Sequence, residues 1–203
     1  MANECMNYIT IKGDKELLQI FADSYFVKKN DHYYLDFNVI APIPDDCEND
    51  YDYRIYNWGN KWDGTHGDIT FWGEDEIFID VTTAWSPCEP ITTKLINLCP
   101  GLYIYHEYYE SGMGFIGWIE HHPNEAPDEY EQVDYNVDND PEKYWFWMFE
   151  KEFETLDWLY EVVSDCAADE EISEEDENII HSMLEHNSIE EIVAYCIEKG
   201  VLR

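Results

Sequence analysis

The sequence predicts an α+β fold: an antiparallel sheet with helices over residues 1–120, followed by an acidic helical region. Three observations predict it. Short alternating runs rich in β-branched and aromatic residues recur up to residue 120, as half-buried strands require. Two stretches among them space their apolar residues by three and four, as a helix burying one face does. Beyond residue 140 the helical spacing takes over. The chain has 203 residues, 45% apolar and 16% aromatic, enough to fill a core and unlike an acidic disordered chain.

In chain order, Met6-Asn7-Tyr8-Ile9-Thr10-Ile11-Lys12-Gly13 alternates and reads as a strand. Asp14 can cap a helix running to about residue 26, with Leu17, Leu18, Phe21 and Phe26 on its apolar face. Residues 33–40 read as extended, ending at Pro42 and Pro44, and the acidic segment 45–52 reads as a loop. Residues 68–72 and 76–83 form a hairpin turning near Gly73-Glu74-Asp75. A short helix over 89–98 accepts Pro90 because that residue falls in its first turn. Residues 102–109 and 115–120 form a second hairpin across Ser111-Gly112-Met113-Gly114. The order β-α-β, hairpin, helix, hairpin is that of a ferredoxin-like α+β domain.

Residues 121–140 read as an acidic linker or loop, and 141–203 as a three-helix acidic region. The first helix spans about 141–167, with Phe146, Phe149, Phe153, Leu156, Tyr160 and Val163 stepping by 3, 4, 3, 4 and 3. Ser173-Glu174-Glu175-Asp176 caps the second, which carries Ile179, Ile180, Met183 and Leu184. Ser188-Ile189-Glu190-Glu191 is a capping box for the third, which buries Ile189, Ile192, Val193, Cys196 and Ile197 and stops at Gly200.

Several segments of the first 120 residues carry a resemblance: Asn7-Tyr8-Ile9-Thr10-Ile11-Lys12-Gly13, Ile40-Ala41-Pro42-Ile43-Pro44, Asn57-Trp58-Gly59-Asn60-Lys61-Trp62-Asp63, Thr83-Ala84-Trp85-Ser86-Pro87 and Tyr108-Tyr109-Glu110-Ser111-Gly112. Together they resemble the YubB-type ferredoxin-like domain of phage and plasmid proteins. Cys88 departs from the pattern, standing where a second proline is expected after Pro87. The resemblance implies a fold and a mobile-element setting, and no catalytic residue. It does not extend beyond residue 120.

No run approaches the roughly 18 apolar residues of a membrane span. The N-terminus lacks the basic and apolar regions of a secretory signal, so a cytoplasmic location is expected. The six cysteines (Cys5, Cys47, Cys88, Cys99, Cys166, Cys196) are scattered and read as reduced thiols.

The charge decides the function class. Lys and Arg number 11 against 46 Asp and Glu, a net of −35. Residues 121–203 hold 25 acids against 4 bases (−21), and residues 1–120 hold 21 against 7 (−14). Solubility asks for a net charge of only about 2–8 in a small domain. Duplex DNA carries one charge per roughly 1.7 Å, so this charge matches about 60 Å of duplex. A globule of this length spans only about 40–45 Å. Direct binding of nucleic acid is thereby disfavoured, and a basic nucleic-acid-binding protein becomes the natural partner.

Each remaining constellation has a plain structural role beside its functional one. Glu150, Glu154, Asp157, Glu161 and Asp165, spaced 4, 3, 4 and 4, put five carboxylates in one row on a helix, either a solvated face or a phosphate-like stripe. Like charges so placed cost about 0.2–0.5 kcal/mol per pair. Gly112-Met113-Gly114-Phe115-Ile116-Gly117 matches a dinucleotide fingerprint in spacing but is expected in a hairpin. Asp134, Asn136, Asp138 and Asp140 alternate like a calcium loop, yet its sixth and twelfth positions hold Asn139 and Trp145. Adjacent His121 and His122 would point to opposite faces of a strand. The corner of Trp58, Trp62 and Trp85 reads as core aromatics, with stacking on a base or sugar as the rival.

The expectation is a non-enzymatic inhibitor with no cofactor or metal: an anti-defence DNA mimic that occupies the basic channel of a CRISPR effector, restriction enzyme or other nuclease. Its partner-binding residues are expected to be the five-carboxylate row together with Glu170, Glu171, Glu174, Glu175 and Asp176. The alternative is an aromatic protein–protein docking module whose acidity only solubilises it. An enzyme acting on an anionic nucleotide ranks last, since the field repels such substrates.

Overall fold

The computed structural model describes residues 3–29, 32–45, 51–64, 67–123, 125–151, 157–168 and 172–202. Its axis is strand β1 (Glu4–Lys12), whose alternation sends Cys5, Asn7, Ile9 and Ile11 to a buried face. Antiparallel β5 (Glu76–Ala84) sets Ile79 opposite Ile9 and Ile77 opposite Ile11. On the other side β6 (Tyr103–Glu110), also antiparallel, sets His106 opposite Ile9 and Ile104 opposite Ile11. With β4 (Gly67–Trp72), β7 (Phe115–His121) and β8 (Glu131–Asn136), the strands lie in the order β4-β5-β1-β6-β7-β8. The protein is α+β.

Helix α1 (Lys15–Tyr25) starts where Asp14 predicts, with Leu18 N–H donating to the Asp14 carbonyl at 3.0 Å; the Asp14 carboxylate makes no capping bond. It buries Leu18, Phe21 and Ala22. Helix α4 (Glu89–Leu98) carries its proline in the first turn and buries Ile91, Thr92, Leu95 and Ile96.

Three expectations fail in this region, each for a local reason. The run over 33–40 is not one extended segment. It holds β3 (His32–Leu35), paired with β2 (Phe26–Lys29) in a separate two-stranded sheet, and then a short helix α2 (Phe37–Ile40). Asp36 forces the change, its carboxylate accepting from Asn38 N at 2.8 Å and Val39 N at 3.3 Å, an N-cap that β-branched neighbours concealed. Of the expected loop 45–52, residues 46–50 lie outside the described residues, while Tyr51 and Asp52 belong to helix α3 (Tyr51–Trp58), of whose residues only Trp58 is buried, so no apolar stripe announced it. It ends at Gly59, whose φ of +81° suits glycine and whose N–H donates to Ile55 O at 3.0 Å. Strand β8 lies in the expected linker, its alternation masked by an acidic composition. Gly117 on β7 shows why β8 belongs to the sheet. A Cβ there would stand 2.6 Å from both the Tyr108 ring and an Asp134 oxygen, so only glycine lets Tyr108 cross to donate to Asp134 at 2.5 Å.

The chain divides into two compact units, Met1–Met113 with Gly117–Asp134, and Gly114–Ile116 with Tyr135–Arg203. Within the second, the described helices are α5 (Pro141–Lys151), α6 (Asp157–Ala168), α7 (Glu174–His186) and α8 (Ile189–Glu198); α5 and α6 fall in the helix expected over 141–167, and residues 152–156 between them lie outside the described residues. Of the expected apolar stripe, Val163 is buried as predicted and Tyr160 departs from it. Leu159 and Val163 are buried while Tyr160 is half exposed, and α5 buries Tyr144, Trp147 and Met148. Phe146 is half-buried, nothing is described of the Phe149 side chain, and Phe153 and Leu156 lie outside the described residues. Leu159, Val163, Ile180, Ile192, Val193 and Cys196 make the core of this unit. Ser173 and Ser188 cap α7 and α8 as their sequences predict, accepting from Asp176 N and Glu191 N. Gly200, at φ +77°, follows the end of α8. No helix among the described residues is long and apolar enough to cross a membrane.

Candidate partner-binding surface

Buried polar groups of the first unit are committed to the fold. Asn7, fully buried, donates to Cys5 O at 3.0 Å, Val81 O at 2.9 Å and Thr83 Oγ1 at 2.8 Å. Its Oδ1 accepts from Cys88 N at 3.0 Å and faces His106 Nε2 at 3.0 Å. An amide oxygen only accepts, so His106 carries its proton on Nε2 and takes the Thr92 hydroxyl on Nδ1 at 2.7 Å. Burial holds the His106 pKa down to about 3, so the ring is neutral, satisfied at both nitrogens and unfit as a base. Glu110, also buried, accepts from Gly112 N at 2.9 Å and Met113 N at 2.5 Å across the β6–β7 turn. A strand follows that turn, so Gly112-Met113-Gly114 does not open the helix a dinucleotide site needs.

One acidic pocket stands apart. Glu120, His122, Glu125, Glu129, Tyr130 and Glu131 line a space of about 360 Å³. Tyr103 donates to Glu120 at 2.8 Å, and burial with that carboxylate pushes the Tyr103 hydroxyl up to about 12. His122 Nε2 sits 3.4 Å from Glu120, while the neighbouring His121 is buried against Glu129 O and Pro100 O. The two histidines do face opposite ways. Sequence reasoning places Glu120 at the end of a strand and the other lining acids in a linker, and the only sequence signal for a pocket is their density between residues 120 and 131. Among the described residues no group of three or more His, Cys, Asp or Glu is placed to hold a metal ion. In the calcium-like stretch, Asn136 Oδ1 accepts from Asp138 N at 2.9 Å as a turn residue.

The carboxylates expected to meet a partner lie in the second unit. Glu150 sits in the last turn of α5, and Asp157 and Glu161 belong to α6; their side chains are not described. Glu154, Glu170 and Glu171 lie outside the described residues. Asp165 on α6 is exposed, as are Glu174 and Glu175 in the first turn of α7, where the helix dipole favours negative charge. Asp176 differs from these. It accepts from Ser173 Oγ at 2.6 Å and Tyr195 OH at 3.0 Å, and pairs with Lys199 Nζ at 2.9 Å. These bonds, Ser173 first, hold its pKa down to about 2. Asp176 ties α7 to the end of α8.

The tryptophan corner separates into three roles. Trp58 is core: its indole N–H donates to Ala41 O at 2.9 Å and Arg54 lies over its ring at 5.4 Å. Trp62 is half-buried with Lys61 at 5.9 Å from its ring centroid. Gly59 permits the corner to close, since a Cβ there would meet Pro87 O at 2.5 Å, and Ser86 Oγ donates to Gly59 O at 2.6 Å. Trp85 is 43% exposed at φ +73°, a conformation that costs an L-residue about 1–2 kcal/mol. No protein-family model matches this chain, and neither does any curated protein or solved structure in the comparisons made.

Proposed function

We propose that this protein is a non-enzymatic inhibitor that mimics DNA and blocks the nucleic-acid-binding site of a basic host defence protein, such as a CRISPR effector, a restriction enzyme or another nuclease. One observation carries the reading. If every one of the 11 basic residues neutralised an acid, 35 of the 46 would still be uncompensated. That excess opposes folding by self-repulsion and steers basic partners toward the surface. Exposed Asp165, Glu174 and Glu175 belong to the more acidic part of the chain and supply part of that field.

The first unit, on this reading, is a ferredoxin-like scaffold of the YubB type. The succession β1, α1, β4, β5, α4, β6, with strands side by side as β6-β1-β5-β4, supports it. The acidic helical region would present the charge in the host cytoplasm.

The test is competition. Basic nucleases and guide-RNA effectors, each loaded with labelled DNA or RNA, are titrated with the full chain at low and high salt. Near-stoichiometric displacement that salt weakens is expected from at least one of them. Failure to displace nucleic acid from any would remove the mimicry reading.

A further inference from the structure

Of the three corner tryptophans, two are supplied with a cation from within the chain, Arg54 over Trp58 and Lys61 over Trp62. Trp85 is not. Among the described residues no cation or aromatic ring lies against its indole, and its N–H makes no hydrogen bond. Its backbone is nevertheless fixed on both sides. Trp85 N–H donates to Asn3 O at 3.0 Å, Thr83 Oγ1 to Ser86 O at 2.7 Å, and Cys88 N–H to Asn7 Oδ1 at 3.0 Å. That frame imposes a left-handed φ that glycine would adopt without strain. The position instead carries the largest side chain, and leaves 43% of the residue exposed.

We infer that Trp85 is an aromatic anchor for an arginine side chain on a basic protein segment, an inference that rests on the reading of a basic partner. The surrounding charge selects the occupant. Exposed Glu4 pairs across the sheet with Ala84, the residue before Trp85, and the net charge of −35 repels a nucleotide or a second copy of this chain. An indole face in a negative field favours a cation, and the flat guanidinium stacks on it better than an ammonium. Strain held at an exposed side chain is explained when that side chain is presented to a partner.

The experiment uses the full chain and two probes, labelled oligoarginine and length-matched oligolysine, in fluorescence anisotropy at low and high salt. Trp85→Leu and Trp85→Gly are expected to weaken oligoarginine binding about five- to tenfold at high salt, the scale of one cation–π contact, while Trp85→Phe loses less than about threefold. Oligolysine is expected to lose less than oligoarginine. Trp85→Gly removes the φ strain, so a melting temperature at or above that of the parent separates lost binding from lost folding. Trp85→Leu binding within about twofold of the parent, on the same scale, overturns the inference. If binding then remains strongly salt-dependent, charge recognition stands without the anchor. If Trp85 matters and salt does not, the anchor stands and mimicry falls.

Discussion

The two units use their polar groups in opposite ways. In the first, Asn7, His106, Glu110 and Asp134 are bonded to the fold that surrounds them. In the second, Asp165, Glu174 and Glu175 face solvent and make no side-chain bond among the described residues, with Asp176 the counterexample. These buried polar residues of the first unit hold a scaffold together. The exposed Asp165, Glu174 and Glu175 of the second bring charge that bonds to nothing described in the fold. Substitution should separate the two behaviours sharply.

The largest effect is expected at Asn7. Asn7→Ala would leave the Cys88 N–H and the His106 Nε2–H buried without their partner, and would take one donor each from the carbonyls of Cys5 and Val81. Unpaired buried groups cost about 1–3 kcal/mol each, and partial relaxation brings the total to roughly 3–5 kcal/mol. Urea unfolding at neutral pH measures it. A loss below about 1 kcal/mol would mean that the network is not what joins β1, β5 and α4.

A smaller and directional effect follows from His106. Its folded pKa of about 3 lies below the ordinary 6.5, so between these values the unfolded chain binds the proton that the folded chain refuses. The contribution is complete above pH 6.5 and is lost as pH falls toward 3, at about 1.4 kcal/mol per pH unit. Glu89 and Asp80, raised by burial, act in the opposite sense, so the comparison must be a difference between variants. Between pH 6.5 and 5 the parent should lose about 2 kcal/mol more than His106→Gln. Equal slopes would show that the ring is not held neutral.

How much of this could be read beforehand varies with the kind of signal. Strands β1, β5 and β6 and helices α1, α4, α7 and α8 were legible because one face of each is apolar at a regular period or has a cap. Helices α2 and α3 were not. The first depends on a single Asp36 cap, and the second buries only Trp58. The bond from Tyr108 to Asp134 was invisible because it needs a glycine on the strand between them. Of the acidic site, composition gave the excess of charge but could not tell Asp176, bound to Lys199, from exposed Glu175 beside it. Only the position of Lys199, 23 residues downstream, distinguishes the two.

That pair of neighbours gives the smallest stability effect and the most discriminating one. Glu174 and Glu175 are exposed in a helix first turn that also holds Asp176 and Glu177. Replacing both by Gln removes some favourable interaction with the helix dipole and some repulsion between like charges, terms of opposite sign and each about 0.3–0.5 kcal/mol. Unfolding free energy should therefore move by no more than about 0.5 kcal/mol. Displacement of nucleic acid from a basic effector should nevertheless weaken several-fold, and more at low salt than at high salt. Asp176→Asn should behave the other way, loosening α7 from Lys199 and Tyr195 in a melt while changing displacement less. If the double Gln variant instead unfolds easily and displaces as well as the parent, the exposed acids belong to the fold after all. The contrast between the units would then disappear.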